Sequence, residues 1–227
     1  MSTSIILIIT TFIIVMVIFS SVLNKRFNIT HTRWYVITCF YFLIATLLVI
    51  YSHHNYFSPL QQVGVVPGLI LIGLFILNPL IYWYARKKLE HPTDLIERNN
   101  SQNFIKLDYR YLASKTCEIM FQQTCIIILV LLLEKAGLSL IQIMVSFSLL
   151  FSLAHFPLLL TGQHSWALYY IIFSALSGFI FPPLILKLPS GFIYSFIVHW
   201  LFYTLAGVGF WIYFNRQVRK HGASLYS

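Results

Sequence analysis

The chain has 227 residues, of which 59% are hydrophobic and only 9% charged. A soluble domain carries about 25% charged residues, so this composition excludes a water-soluble globular protein and calls for an outer surface that faces lipid. The formal net charge of +9 sits in clusters beside apolar segments, where topology and anionic lipid account for it. No nucleic-acid partner is expected.

A bilayer core about 30 Å thick takes roughly 20 apolar residues per helix. In chain order, seven segments qualify: Ile5–Leu23, Trp34–Tyr51, Val66–Tyr84, Cys117–Leu133, Leu138–Leu160, Trp166–Leu186 and Gly191–Phe214. Helices are expected because lipid offers no partner for open backbone groups. Runs such as Ile126–Leu133 and Leu149–Leu153 lack the alternation of a barrel strand. The expected fold is all-α, a polytopic transmembrane helix bundle of about seven spans in one membrane domain. Residues 1–85 hold three plain spans, 86–116 a polar loop, 117–214 four spans with polar residues, and 215–227 a tail. The first span is read as a membrane helix rather than a signal peptide, because Met1–Ser4 carries no basic residue and no small-residue cleavage pattern follows. The three cysteines (Cys39, Cys117, Cys125) fit no zinc or disulfide framework.

Basic residues orient the bundle. Lys25, Arg26 and Arg33 lie between the first two spans. Arg86, Lys87, Lys88, Arg98, Lys106, Arg110 and Lys115 lie between the third and fourth. Arg216, Arg219 and Lys220 follow the seventh. Thirteen of the fifteen Lys and Arg thus fall on one side, and only Lys135 and Lys187 on the other. The positive-inside rule predicts an external N-terminus and a cytoplasmic C-terminus, and a prokaryotic plasma membrane is the expected location.

Polar residues inside apolar spans are costly, and their positions point to function. The first three spans have almost none. The fourth opens on Cys117-Glu118-Ile-Met-Phe-Gln122, in which Glu118 and Gln122 share a helix face. The fifth holds Phe151-Ser-Leu-Ala-His155, with His155 in its cytoplasmic half. The seventh holds His199 near its middle and Tyr203 one turn further on. Each also has a plain structural reading. Glu118 suits the positive end of a helix dipole, and either histidine could be bonded to a neighbouring helix. Facing one cavity, the two histidines and the glutamate could hold and activate a water.

The stretch from Cys117 to Gly207 resembles the core of the CAAX-protease and bacteriocin-processing membrane family. That family carries Glu-Glu-x-x-x-Arg, Phe-x-x-x-His and His-x-x-x-Asn on successive helices. Phe151-Ser-Leu-Ala-His155 meets the second motif in full. His199 meets half of the third, with Tyr203 in place of Asn. The first is degenerate: Cys117 stands for the first Glu, Glu118 for the second and Gln122 for Arg. The resemblance implies an intramembrane endopeptidase acting on a membrane-bound or lipidated protein near the cytoplasmic face. Its catalytic residues would be Glu118, His155, His199 and Tyr203, with Phe151 in support. The substitutions at Cys117, Gln122 and Tyr203 motivate an alternative, a non-catalytic protein of the same fold with a binding or immunity role. A small transporter is the second alternative. No cofactor is expected. Zinc held by Glu118, His155 and His199 is conceivable but not favoured, since no His-Glu-x-x-His motif is present. The expected partners are membrane lipids and the protein substrate.

Overall fold

The computed structural model describes residues 2–56, 65–93, 96, 103–156, 159 and 164–222. These form α1 (Ser2–Val17, continued by the π-helical turn Ile18–Asn24), α2 (Tyr35–Ser52), α3 (Val65–Lys88), α4 (Tyr109–Lys135), α5 (Leu140–Leu153), α6 (His164–Ser177), α7 (Phe181–Lys187) and α8 (Gly191–Gly222), with no strand among the described residues. Among the described residues six stretches are long and apolar enough to cross a membrane: Thr3–Asn24, Tyr35–Ser52, Gly68–Lys88, Tyr109–Lys135, Trp166–Lys187 and Gly191–Arg216. The protein is an all-α, multi-pass membrane bundle.

The fourth expected span differs at its start. α4 begins at Tyr109 rather than Cys117, because Asp108 caps it by accepting the Arg110 N–H at 2.7 Å. The polar loop is shorter by the same amount, and Lys115 lies within the helix. α4 ends at Lys135, and just beyond its cap Ala136 the positive φ of 81° at Gly137 closes the turn. The fifth expected span, Leu138–Leu160, is the α-helix Leu140–Leu153. Its 14 residues reach about 21 Å, short of the bilayer core. A Ser139–Gln142 capping box starts it. It gives way to a tighter turn where the His155 N–H bonds to Ser152 O. The sixth expected span is one apolar stretch but two helices. The break falls at Gly178–Ile180, where each N–H bonds three residues back. Pro182 and Pro183 then open α7 at positions that need no donor. Gly178 lies directly on α5: a Cβ there would come within 2.5 Å of the Ser148 Cβ.

α4 is the axis. Of its membrane window, 83% is buried, against 11% for the first span. α1, α2, α3, α5, α7 and α8 all pack on it. The outer helices turn Ile6, Leu7, Leu47, Leu48, Leu69 and Ile76 outward, the surface that lipid must cover. At one end of the bundle Asn215 accepts the Glu90 N–H at 2.8 Å, and the Trp211 indole donates to Ile105 O.

Candidate functional site

Two polar groups lie side by side on α4. The first is centred on Glu118, which is only 2% exposed. Lys115, Glu118 and Gln122 recur at helical spacing and share a face. Lys115 Nζ donates to Glu118 Oε1 at 2.6 Å, and Gln122 Nε2 donates to the same oxygen at 2.7 Å. His31 Nε2 meets Oε2 at 3.0 Å. His31 comes from the loop between α1 and α2 and is itself fixed. Its carbonyl accepts from Ser114 Oγ at 2.9 Å, and its Nδ1 lies 3.1 Å from that hydroxyl. Its ring stacks on Phe42 and meets the Tyr111 ring edge-on. Both carboxylate oxygens are therefore engaged by donors. Lys115 Nζ also lies 4.2 Å from the centroid of the Tyr203 ring, a cation–π contact.

The second group surrounds a cavity of about 170 Å³ between α4, α5, α6, α7 and α8. Its polar lining is Gln122, His155, Tyr170, Ser174, Ser177, His199 and Tyr203, and the rest is aromatic or aliphatic. Phe151 supports His155 twice. Its ring meets the imidazole edge-on at 5.0 Å, and its carbonyl lies 2.8 Å from His155 Nδ1. A carbonyl only accepts, so Nδ1 carries the proton. Ser174 Oγ lies 3.0 Å from the same nitrogen and spends its own hydrogen on Tyr170 O at 2.6 Å. The i, i+4 spacing of Phe151 and His155 thus makes a bracket that leaves Nε2 as the basic nitrogen.

His199 is held in the same sense by other means. Its Nδ1 lies 3.2 Å from Gln123 Oε1. Gln123 Nε2 donates to Ser195 Oγ at 2.7 Å, and Ser195 Oγ donates to Phe192 O at 2.9 Å. Tyr203 stacks beside the His199 ring, centroids 5.9 Å apart. Two imidazoles tethered at Nδ1, each with its lone pair at Nε2 when the ring is neutral, form on one cavity an arrangement suited to binding a water or another donor, or to proton transfer.

Of the residues singled out from the sequence, Gln122, Phe151, His155, His199 and Tyr203 border this one cavity. Glu118 is not among its lining residues and meets that lining through Gln122 and, by way of Lys115, at the Tyr203 ring. Cys117, about 100° round the helix from Glu118, faces away. It packs with the apolar cluster shared by α1, α2 and α5 and lies beside Cys39. Among the described residues no three His, Cys, Asp or Glu side chains gather as a metal-binding group, so Glu118, His155 and His199 do not come together as ligands.

Sequence reasoning missed His31, Gln123, Ser195 and Ser174. Lys115 was read only as a loop charge, although its i, i+3 spacing from Glu118 could have paired them. Gln123 adjoins Gln122 and lies on a different face, and only the position of α8 shows that it serves His199. His31 has no local signal, since its partner lies on a distant helix. The chain matches no known family model, and no curated protein or solved structure is significantly similar to it.

Proposed function

We propose that the cavity is the active site of an intramembrane endopeptidase, which hydrolyses a membrane-bound or lipidated protein near the cytoplasmic face. The observation that carries this reading is the pair of histidines, each tethered at Nδ1 with Nε2 as its basic nitrogen, on one cavity inside an apolar bundle. The proposed topology keeps the N-terminus outside and the thirteen basic residues in the cytoplasm. The resemblance of Phe151-x-x-x-His155 and His199 to the CAAX-protease family supports the same assignment.

His155 Nε2 takes a proton from water as the water oxygen bonds to the scissile carbonyl carbon. The carbonyl π electrons move onto oxygen. The Tyr203 hydroxyl is the donor proposed for that oxyanion. The C–N bond then breaks, the oxyanion re-forms the carbonyl, and the imidazolium returns its proton to the leaving amine. His199, beside Tyr203, orients the water. Glu118 is assigned no proton transfer, because its oxygens already accept from Lys115, Gln122 and His31.

The test is cleavage of membrane-anchored reporters by the protein reconstituted in liposomes. His155→Ala should lower turnover by about 10²–10⁴-fold, the usual cost of losing a general base, with insertion unchanged. A second reading, a non-catalytic binding protein, draws support from the cavity lining, in which no carboxylate is found among the described residues. Full cellular function with His155→Ala would favour it.

A further inference from the structure

We propose that Gln123 and Ser195 are positioning residues which fix the tautomer of His199. The catalytic meaning of this role rests on the endopeptidase reading, but the role itself does not. The direction of the chain follows from its last member. Phe192 O is a backbone carbonyl and can only accept, so the Ser195 hydroxyl hydrogen points to it at 2.9 Å. The Ser195 oxygen is then left as an acceptor, and the Gln123 NH₂ fills it at 2.7 Å. A side-chain amide has one oxygen and one nitrogen. With the nitrogen committed to Ser195, the oxygen faces His199 Nδ1 at 3.2 Å. Nδ1 must therefore hold the proton, and Nε2 the lone pair.

Reversing any link would carry through to the ring. If the amide flipped, it would turn N–H groups toward Nδ1 and drive the proton to Nε2. The lone pair on the cavity side would then be lost. All three side chains are buried: Ser195 is 0% exposed, Gln123 2% and His199 8%. Bulk water cannot substitute for a missing partner. The relay spans two helices, since Gln123 is on α4 while Ser195 and His199 lie one turn apart on α8. Packing of α8 against α4 thus sets the chemistry of His199. His155 needs no such relay, because its Nδ1 is held by the carbonyl one turn before it.

The experiment is nitrogen-15 NMR of histidine-labelled, full-length protein in lipid nanodiscs, with His199→Asn to assign the signal. Wild-type His199 should show a protonated Nδ1 and an unprotonated Nε2. Gln123→Leu removes the acceptor and should move His199 to the opposite tautomer or to a mixture. Gln123→Glu supplies a carboxylate oxygen in its place and should restore the Nδ1–H signature, which a merely space-filling role would not require. Ser195→Ala leaves the Gln123 amide free to flip and should give a mixture. It also serves as the test if Gln123→Leu does not fold. A wild-type His199 protonated at Nε2, or a tautomer unchanged in Gln123→Leu or Ser195→Ala, would overturn the proposal. With reporter cleavage as a second readout, Gln123→Leu should lower kcat by about 10²-fold, the cost of misplacing a group that orients a reactant, with partial rescue in Gln123→Glu. The expected tautomers in a protein that cleaves nothing would support the relay and count against the endopeptidase reading alone.

Discussion

The Glu118 group and the histidine cavity are neighbours on α4, yet they are built in opposite ways. Glu118 meets Lys115, Gln122 and His31, and neither of its oxygens is left without a donor. Each cavity histidine has one nitrogen tethered and the other left as an acceptor. A buried polar group that is fully satisfied specifies a fold, whereas one that is half satisfied is ready for a ligand. Gln122 belongs to both groups, giving its amide to Glu118 while lining the cavity. On the proposed reading the carboxylate, which the family resemblance implies is catalytic, serves the architecture instead, and the histidines are left for chemistry.

The comparison can be broken from either side. Removing a cavity imidazole should change turnover by the orders of magnitude given above and cost less stability than breaking the Glu118 group, because it strands neutral hydrogen-bond partners and no charge. Glu118→Gln should do the reverse. It leaves Lys115 buried without its counter-ion and puts an NH₂ where donors on one side, His31 or the Lys115–Gln122 pair, had an acceptor. Breaking a buried pair in this way costs about 3–5 kcal/mol, read as a lowered thermal midpoint in detergent. A Glu118→Gln protein of wild-type stability would mean that the group is not the keystone described here.

Smaller effects sharpen the boundary between the two regions. Gly178→Ala would push a methyl into the α5 backbone at Ser148. Overpacking of this kind costs about 1–3 kcal/mol. Because Ser177 and Ile180 line the cavity on either side of that break, reporter cleavage should fall with stability. Unchanged behaviour would show that the α6–α7 break is not pinned by Gly178. Cys117→Glu would restore the carboxylate found in the family that the sequence resembles. Cys117 packs towards α1 and α2, so the new carboxylate should give no gain in turnover. It should cost about 1–3 kcal/mol as an unpaired buried polar group. A rise in cleavage would show that α4 can rotate to bring this face to the cavity.

These contrasts also explain what could be read in the sequence. Spans were legible because hydropathy over about 20 residues is a local signal. Phe151 with His155, and His199 with Tyr203, were legible because i, i+4 spacing alone puts them on one face. Breaks were harder. The stretch Trp166–Lys187 is apolar enough on average to read as one span, and its interruption at Gly178 depends on contact with α5, which no window of sequence contains. The early start of α4 turned on a single cap, Asp108. The partners of Glu118 and His199 were hidden for a further reason. His31 reaches Glu118 only once the α1–α2 loop folds against Ser114, and Gln123 reaches Ser195 only through helix packing. Side-chain type and spacing marked the candidate residues, and only the tertiary contacts show which of them are engaged by neighbouring groups.

The most direct measurement is isotopic. Reconstituted wild-type protein, His155→Ala and His199→Ala would each be incubated with native membrane proteins in water enriched in oxygen-18, and new protein C-termini identified by mass spectrometry. Hydrolysis in the cavity predicts C-termini carrying one heavy oxygen in the wild type, reduced by about 10²-fold or more in both variants. Labelled C-termini formed equally well by His155→Ala, or none formed by the wild type, would contradict the account.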